Sequence, residues 1–154
     1  MSSMRHWLRI GLAMIVVSSV VVAALHAGSS AESVPETRDG VFIHISHGSD
    51  DPHRVLMALQ MASIMCEDRD VLVYFDIKGI DVVVKGAADL RYKQFPSSGQ
   101  QLAALPEKGV TLMACPGCLK AAGRTPDDLA SGVEVADKDR FFSFTKGRIL
   151  TLDY

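Results

Sequence analysis

The stretch that most constrains the fold is Val71 to Asp76, in which every residue before the closing aspartate is aliphatic or aromatic. A strand wetted on one face alternates apolar and polar side chains. A near-continuous apolar run belongs to a strand covered on both faces, as in a parallel sheet between helices. Val41 to Ser46 and Val110 to Ala114 have the same β-branched, apolar character, and Val133 to Val135 and Arg148 to Leu152 suit shorter strands. Between them lie helical patterns. Asp51 and Pro52 open a helix that runs to about Cys66, with Val55, Leu59, Ala62 and Cys66 on the stripe facing the sheet. Ser98 to Glu107 forms a second helix with Leu102 and Leu105 inward. Leu119 to Ala122 precedes Gly123 as a C-cap. Thr125, Pro126 and Asp128 make another helix-start signal, and Asp137 to Phe144 reads as helical. Gly79 to Gly86 fits a short helix or a strand equally. Strands alternating with helices define an α/β domain with a mainly parallel sheet.

The first forty residues are built differently. Arg5, His6 and Arg9 precede Ile10 to Leu25, which carries no charge, and small residues follow from Ala27 to Ala31. That order reads as a secretory signal peptide over residues 1–31. The competing reading is an uncleaved membrane anchor, although the apolar run is shorter than the roughly 20 residues a spanning helix needs. No cysteine lies near the junction, which argues against a lipoprotein. Residues 32–40 are polar and without periodicity, a flexible leader to a domain over residues 41–154. The expected location is periplasmic or secreted, or anchored to the membrane by the N-terminus. Without residues 1–31 the chain has 14 basic and 18 acidic residues, a net charge of −4. A mildly acidic domain with no basic stripe gives no reason to expect a nucleic-acid partner.

Three cysteines remain, Cys66, Cys115 and Cys118. Cys115 follows a strand and opens a helix, at the sheet edge where ligands gather in α/β folds. Free N–H groups at a helix start stabilise a thiolate below the free thiol value of about 8.5. Pro116 suits the first helical turn, Gly117 keeps the approach open, and Cys118 lies one turn on, within disulfide reach. Redox or sulfur chemistry, a static disulfide and metal binding all remain compatible with such a pair. A thioredoxin fold is disfavoured, because its cysteine pair follows an early strand and this one follows a late strand.

Gly48 to Pro52 with the apolar helix behind it, Val71 to Asp76 followed by Gly79, Glu107 to Val110 leading into a strand, and Cys115 eight residues before Gly123 together resemble the DsrE/DsrF-like sulfur-relay family. The resemblance covers roughly residues 41–154. It implies a three-layer α/β/α fold of the DsrE type, assembly as a homo-oligomer (trimer or hexamer), and passage of sulfane sulfur as a cysteine persulfide. Cys115 occupies the place of the sulfur-carrying cysteine, and Cys118 matches members with a second thiol one turn later. The well-understood relays work in the cytoplasm on tRNA thiolation or sulfur oxidation. An export signal makes transfer to tRNA an unsuitable role here.

Other residues bear on the same sheet edge. His44 and His47 differ by three, so strand geometry places them on opposite faces. His47, at the strand end, is the candidate to orient or protonate a sulfur intermediate, against the alternative of a solvated loop histidine. His53 or His47 would have to join the cysteines to make a metal site. Asp76 and Lys78 border the site or are ordinary loop charges. Met57, Met61 and Met65 recur every four residues, as an oligomer interface or, less simply, as thioether copper ligands. Cys66 reads as buried and inert.

The expectation is therefore an exported sulfur-relay-like protein that carries sulfane sulfur on Cys115, with Cys118 as resolving or protecting thiol. Its catalytic set is Cys115, Cys118 and His47, and it calls for no cofactor or metal. Its partners would be sulfur donor and acceptor proteins or small sulfur compounds. The alternatives are a thiol–disulfide oxidoreductase using the same pair and a non-catalytic module binding a metal or small ligand.

Overall fold

The computed structural model describes residues 37–154, so the expected signal peptide or anchor at 1–31 and residues 32–36 of the leader lie outside the described residues. Five strands form one sheet: β1 (Gly40–Ile45), β2 (Asp70–Phe75), β3 (Thr111–Ala114), β4 (Val133–Val135) and β5 (Ile149–Asp153). Their spatial order is β4-β3-β2-β1-β5, and every neighbouring pair is parallel. The helices are α1 (Pro52–Met65), α2 (Ser98–Glu107), α3 (Pro116–Ala121) and α4 (Lys138–Phe142). The expected α/β class and parallel sheet are what the chain adopts.

Alternation along the strands sorts their side chains onto two faces. Val41, Ile43, Ile45, Val71, Val73, Phe75, Leu112 and Ala114 lie on one face, all essentially buried, in a single core with Val55, Leu56, Leu59 and Ala62 of α1 and Leu105 of α2. Each large side chain there contributes about 1.5–3 kcal/mol through the surface it removes from water. The opposite face carries Phe42, His44, Leu72, Tyr74 and Met113. Phe141 of α4 covers part of it, with its ring 5.3 Å from Phe42 and 5.2 Å from Tyr74. Helices thus flank the sheet on both sides. The parallel register also aligns Asp153, His44, Tyr74, Met113 and Glu134 in one row across all five strands.

Local signals account for most boundaries. The Asp51 carboxylate accepts from Arg54 N at 3.1 Å and caps α1. Ser97 and Gln100 form a reciprocal capping box at α2. Gly123 takes a φ of +68°, and Arg124 N donates back to Leu119 O at 3.0 Å, closing α3 as the sequence suggests.

Several details differ from expectation. The domain starts before Val41: Asp39 O accepts from Asp70 N at 3.0 Å, and Gly40 already lies in β1, so residues 39–40 are strand-linked rather than flexible leader. The ambiguous stretch after β2 is a 3-10 helix over Ile77–Val82. Gly79 in it is buried against β1, where any Cβ would collide with Ile45 O. Thr125 does cap, but only a single 3-10 turn over Pro126–Asp128. Cys66 is half-buried rather than buried, because it sits at the C-cap of α1, where its thiol donates to Ser63 O at 3.3 Å. Of the methionine stripe, Met61 and Met65 pack against the core and Met57 is exposed. Among the described residues no helix is long and apolar enough to cross a membrane.

Candidate functional site

Cys115 is delivered by the end of β3 and is the N-cap of α3. Its N–H donates to Phe75 O at 2.8 Å, which ties it to the end of the neighbouring strand β2, and its carbonyl accepts from Leu119 N at 2.9 Å. Pro116 takes the first helical position, where no hydrogen bond is lost. The sulfur therefore faces the start of α3, and Cys118 N donates to it at 3.4 Å. The two cysteines approach to 3.3 Å and both are free and half-buried.

The two thiols are electrostatically unequal. Burial opposes ionisation of Cys115, but hydrogen bonds from the Tyr74 hydroxyl, from the Cys118 backbone and thiol and from Gly117 N–H outweigh it and lower the pKa. At Cys118 the N–H of Ile77 favours the thiolate. Burial, the bond to Cys115 and the negative charges of Cys115 and Asp76 outweigh that and raise the pKa. One sulfur is prepared as a nucleophile and its neighbour is held as a protonated thiol. The Tyr74 hydroxyl is itself kept protonated, by burial and by its bond to Cys115. Ile77 reaches Cys118 from a left-handed conformation, φ +46°, which is unusual for a β-branched residue.

Tyr74 was not singled out from the sequence. The signal was present, since it is the one hydroxyl-bearing residue in an otherwise apolar strand, and a buried tyrosine hydroxyl needs a partner. Alternation turns it away from Val73 and Phe75 toward the face that carries Cys115.

The histidines separate. His47 pairs through Nδ1 with Asp50 at 3.0 Å, and Lys78 Nζ reaches the same carboxylate at 3.1 Å. Asp50 is held well below the ordinary carboxylate range by Gly48 N–H, His47 and Lys78. Among the described residues no hydrogen bond joins His47 to either thiol. His53 stacks on Tyr92, ring centroids 4.3 Å apart. His44, placed by its strand position on the face of Tyr74, lies with Nε2 2.9 Å from Asp76 Oδ1 and Nδ1 2.9 Å from Asp153 Oδ1. The Asp153 contact is a hydrogen bond. The Asp76 contact is close but not aligned as one, and it becomes an ion pair when the imidazole is protonated. Among the described residues no three His, Cys, Asp or Glu side chains are grouped as a metal site requires. A cleft of about 540 Å³ between Val82–Asp89, α2 and Ala130–Gly132 contains neither cysteine.

The arrangement resembles known structures. A protein of unknown function, MTH1491 from Methanobacterium thermoautotrophicum, superposes with a TM-score of 0.55 at 22% identity, over 73% of this chain and 97% of its own. The ychN protein from E. coli superposes with a TM-score of 0.59 at 16% identity, over 76% and 99%. At these identities the likeness is one of fold. No curated protein shows significant sequence similarity to the chain. The model of the DsrE/DsrF-like family matches residues 39–146, about two thirds of the chain and nearly all of the folded domain. The chain belongs to the DsrE/DsrF-like family.

Proposed function

We propose that this is an exported sulfur-relay-like protein that carries sulfane sulfur as a persulfide on Cys115. The observation that carries the reading is the inequality of the thiols: Cys115 is stabilised as thiolate, and 3.3 Å away Cys118 is held as thiol. A thiolate attacks the terminal sulfur of a polysulfide or donor persulfide. The donor S–S bond breaks, its electron pair leaves with the donor, and Cys115 keeps the extra sulfur. An acceptor thiolate then attacks that outer sulfur, and Cys115 leaves as thiolate. No net oxidant is consumed. Tyr74 and the Cys118 and Gly117 N–H groups stabilise the leaving thiolate in the second step as they do the nucleophile in the first. The N-terminal pattern of residues 1–31 supports a periplasmic, secreted or N-terminally membrane-anchored setting for this chemistry, with sulfur donor and acceptor proteins or small sulfur compounds as partners and a homo-oligomer as the working form.

Intact mass after exposure to polysulfide tests the reading. A gain of about 32 Da per sulfur, reversed by reductant and absent in Cys115→Ser, is expected. Loading that survives loss of Cys115 overturns it. The 3.3 Å approach of two free thiols favours a second reading, a thiol–disulfide oxidoreductase. That reading expects a loss of about two hydrogens that no gain of sulfur precedes, in wild type or in Cys118→Ser.

A further inference from the structure

The face of the sheet opposite the main core holds a charged cluster beside the thiol site. Asp76 immediately follows β2 and precedes Ile77, whose N–H favours the Cys118 thiolate. Two residues earlier, in β2, the Tyr74 hydroxyl favours the Cys115 thiolate. A carboxylate so placed opposes ionisation around it, and its charge acts on both Tyr74 and Cys118. Its Oδ1 is buried and has no hydrogen-bond donor, so what compensates it is the His44 imidazole 2.9 Å away. The other ring nitrogen of His44 is held by Asp153 at 2.9 Å.

We propose that His44 is a positioning residue for the Cys115 thiol: as a cation clamped between Asp76 and Asp153, it compensates the carboxylate whose charge acts on Cys118 and on Tyr74 beside Cys115. The cluster is a product of register. His44 is paired with Tyr74 on β2 and with Asp153 on β5, so one histidine meets the chemistry on one side and an edge-strand acid on the other. The titratable groups facing it are Tyr74 and Asp76 from β2 and Asp153 from β5. From its own strand Phe42 stacks at 6.4 Å, and α4 brings the uncharged Phe141 over Phe42 and Tyr74. With the imidazole protonated, one positive charge stands between two negative ones and the cluster carries one net negative charge instead of two. With it neutral, Asp76 is uncompensated and a second negative charge on Cys115 forms less readily. Burial favours the neutral imidazole, yet the two carboxylates prevail and its pKa is raised above 6.5, which extends the cationic form toward neutral pH. The proton stays on His44; sulfur transfer itself requires nothing of it.

The inference rests on Cys115 being the working thiol, and its test does not require sulfur transfer. The rate of iodoacetamide alkylation at Cys115, read by peptide mass spectrometry on the full chain, is measured against pH for wild type, His44→Gln, Asp76→Asn and the double variant. His44→Gln is expected to slow Cys115 alkylation at neutral pH by about threefold to tenfold. Asp76→Asn in the same chain is expected to restore it, and Asp76→Asn alone to lower the apparent pKa of Cys115. A loss that Asp76→Asn does not restore, or no loss at all, overturns the proposal. Should His44→Gln not fold, Asp76→Asn decides alone: an unchanged Cys115 profile overturns the inference. If polysulfide loading fails while the alkylation pattern holds, the persulfide reading falls and the role of His44 stands.

Discussion

Tyr74, on the strand next to the one that delivers the thiol, favours the Cys115 thiolate through its hydroxyl, so residues 41 positions apart are electrostatically coupled. The contact depends on the β2–β3 register, in which Tyr74 lies beside Met113 and Phe75 beside Ala114. Removing only the hydroxyl tests it. In Tyr74→Phe the apparent pKa of Cys115 is expected to rise by about one unit, the worth of a hydrogen bond to a charged group. Ultraviolet thiolate absorbance against pH reads the shift. An unchanged titration shows that the backbone N–H groups suffice.

Cys118 is expected to limit the lifetime of a persulfide on its neighbour. Its thiolate can attack the inner sulfur, form the Cys115–Cys118 disulfide and expel the outer sulfur as hydrosulfide. Cys118→Ser cannot do so. Polysulfide-loaded Cys118→Ser should hold its extra sulfur several-fold longer than wild type, while wild type releases sulfide and ends about two hydrogens lighter than its reduced form. Equal lifetimes would show that Cys118 only shields the site.

Gly79 lets the 3-10 helix after β2 lie directly on β1. A methyl group there meets Ile45 O, a backbone atom that cannot turn aside. Gly79→Ala should cost about 1–3 kcal/mol, as overpacking does in a closed core. The midpoint of urea unfolding measures it. Because the same segment carries Ile77, the variant should also disturb the bond from Ile77 N–H to Cys118.

Acid should weaken the fold in a definite window. Asp39 is held below 3.8 by its bonds to Arg148, Asp51 by Arg54 N–H, Asp89 by Ser97 and Gly99 N–H, and Asp128 by Thr125. Folded values below unfolded ones mean stability that is present above about 3.8 and lost as pH falls through the folded values. Asp89 is exposed and the other three are only half-buried, all within reach of solvent, so each contributes little. The melting temperature is expected to fall steadily below that pH, and Asp39→Asn to make the fall shallower.

How far the sequence went is clearest at β2. Five apolar residues in a row required cover on both faces, and that requirement alone implied a parallel sheet with helices. Asp51 and Gly123 marked helix ends because caps and left-handed glycines act within a few residues of chain. Cys115 and Cys118 were legible for the same reason, since a three-residue spacing on a helix start brings two sulfurs together whatever the remainder of the fold does.

His44, Tyr74, Asp76 and Asp153 could not be read in that way. His44 was set only on the face opposite His47, and Asp76 stood between a site border and an ordinary loop charge, because no local spacing links positions 44, 74, 76 and 153. Strand register supplied the link. Pairing β1 with both β2 and β5 put Asp153, His44 and Tyr74 in one row, and the β2–β3 register brought Cys115 beside it. Periodicity and capping are short-range and are written into the sequence itself. Which distant side chains share a field is settled only when the sheet closes and burial strengthens their interaction.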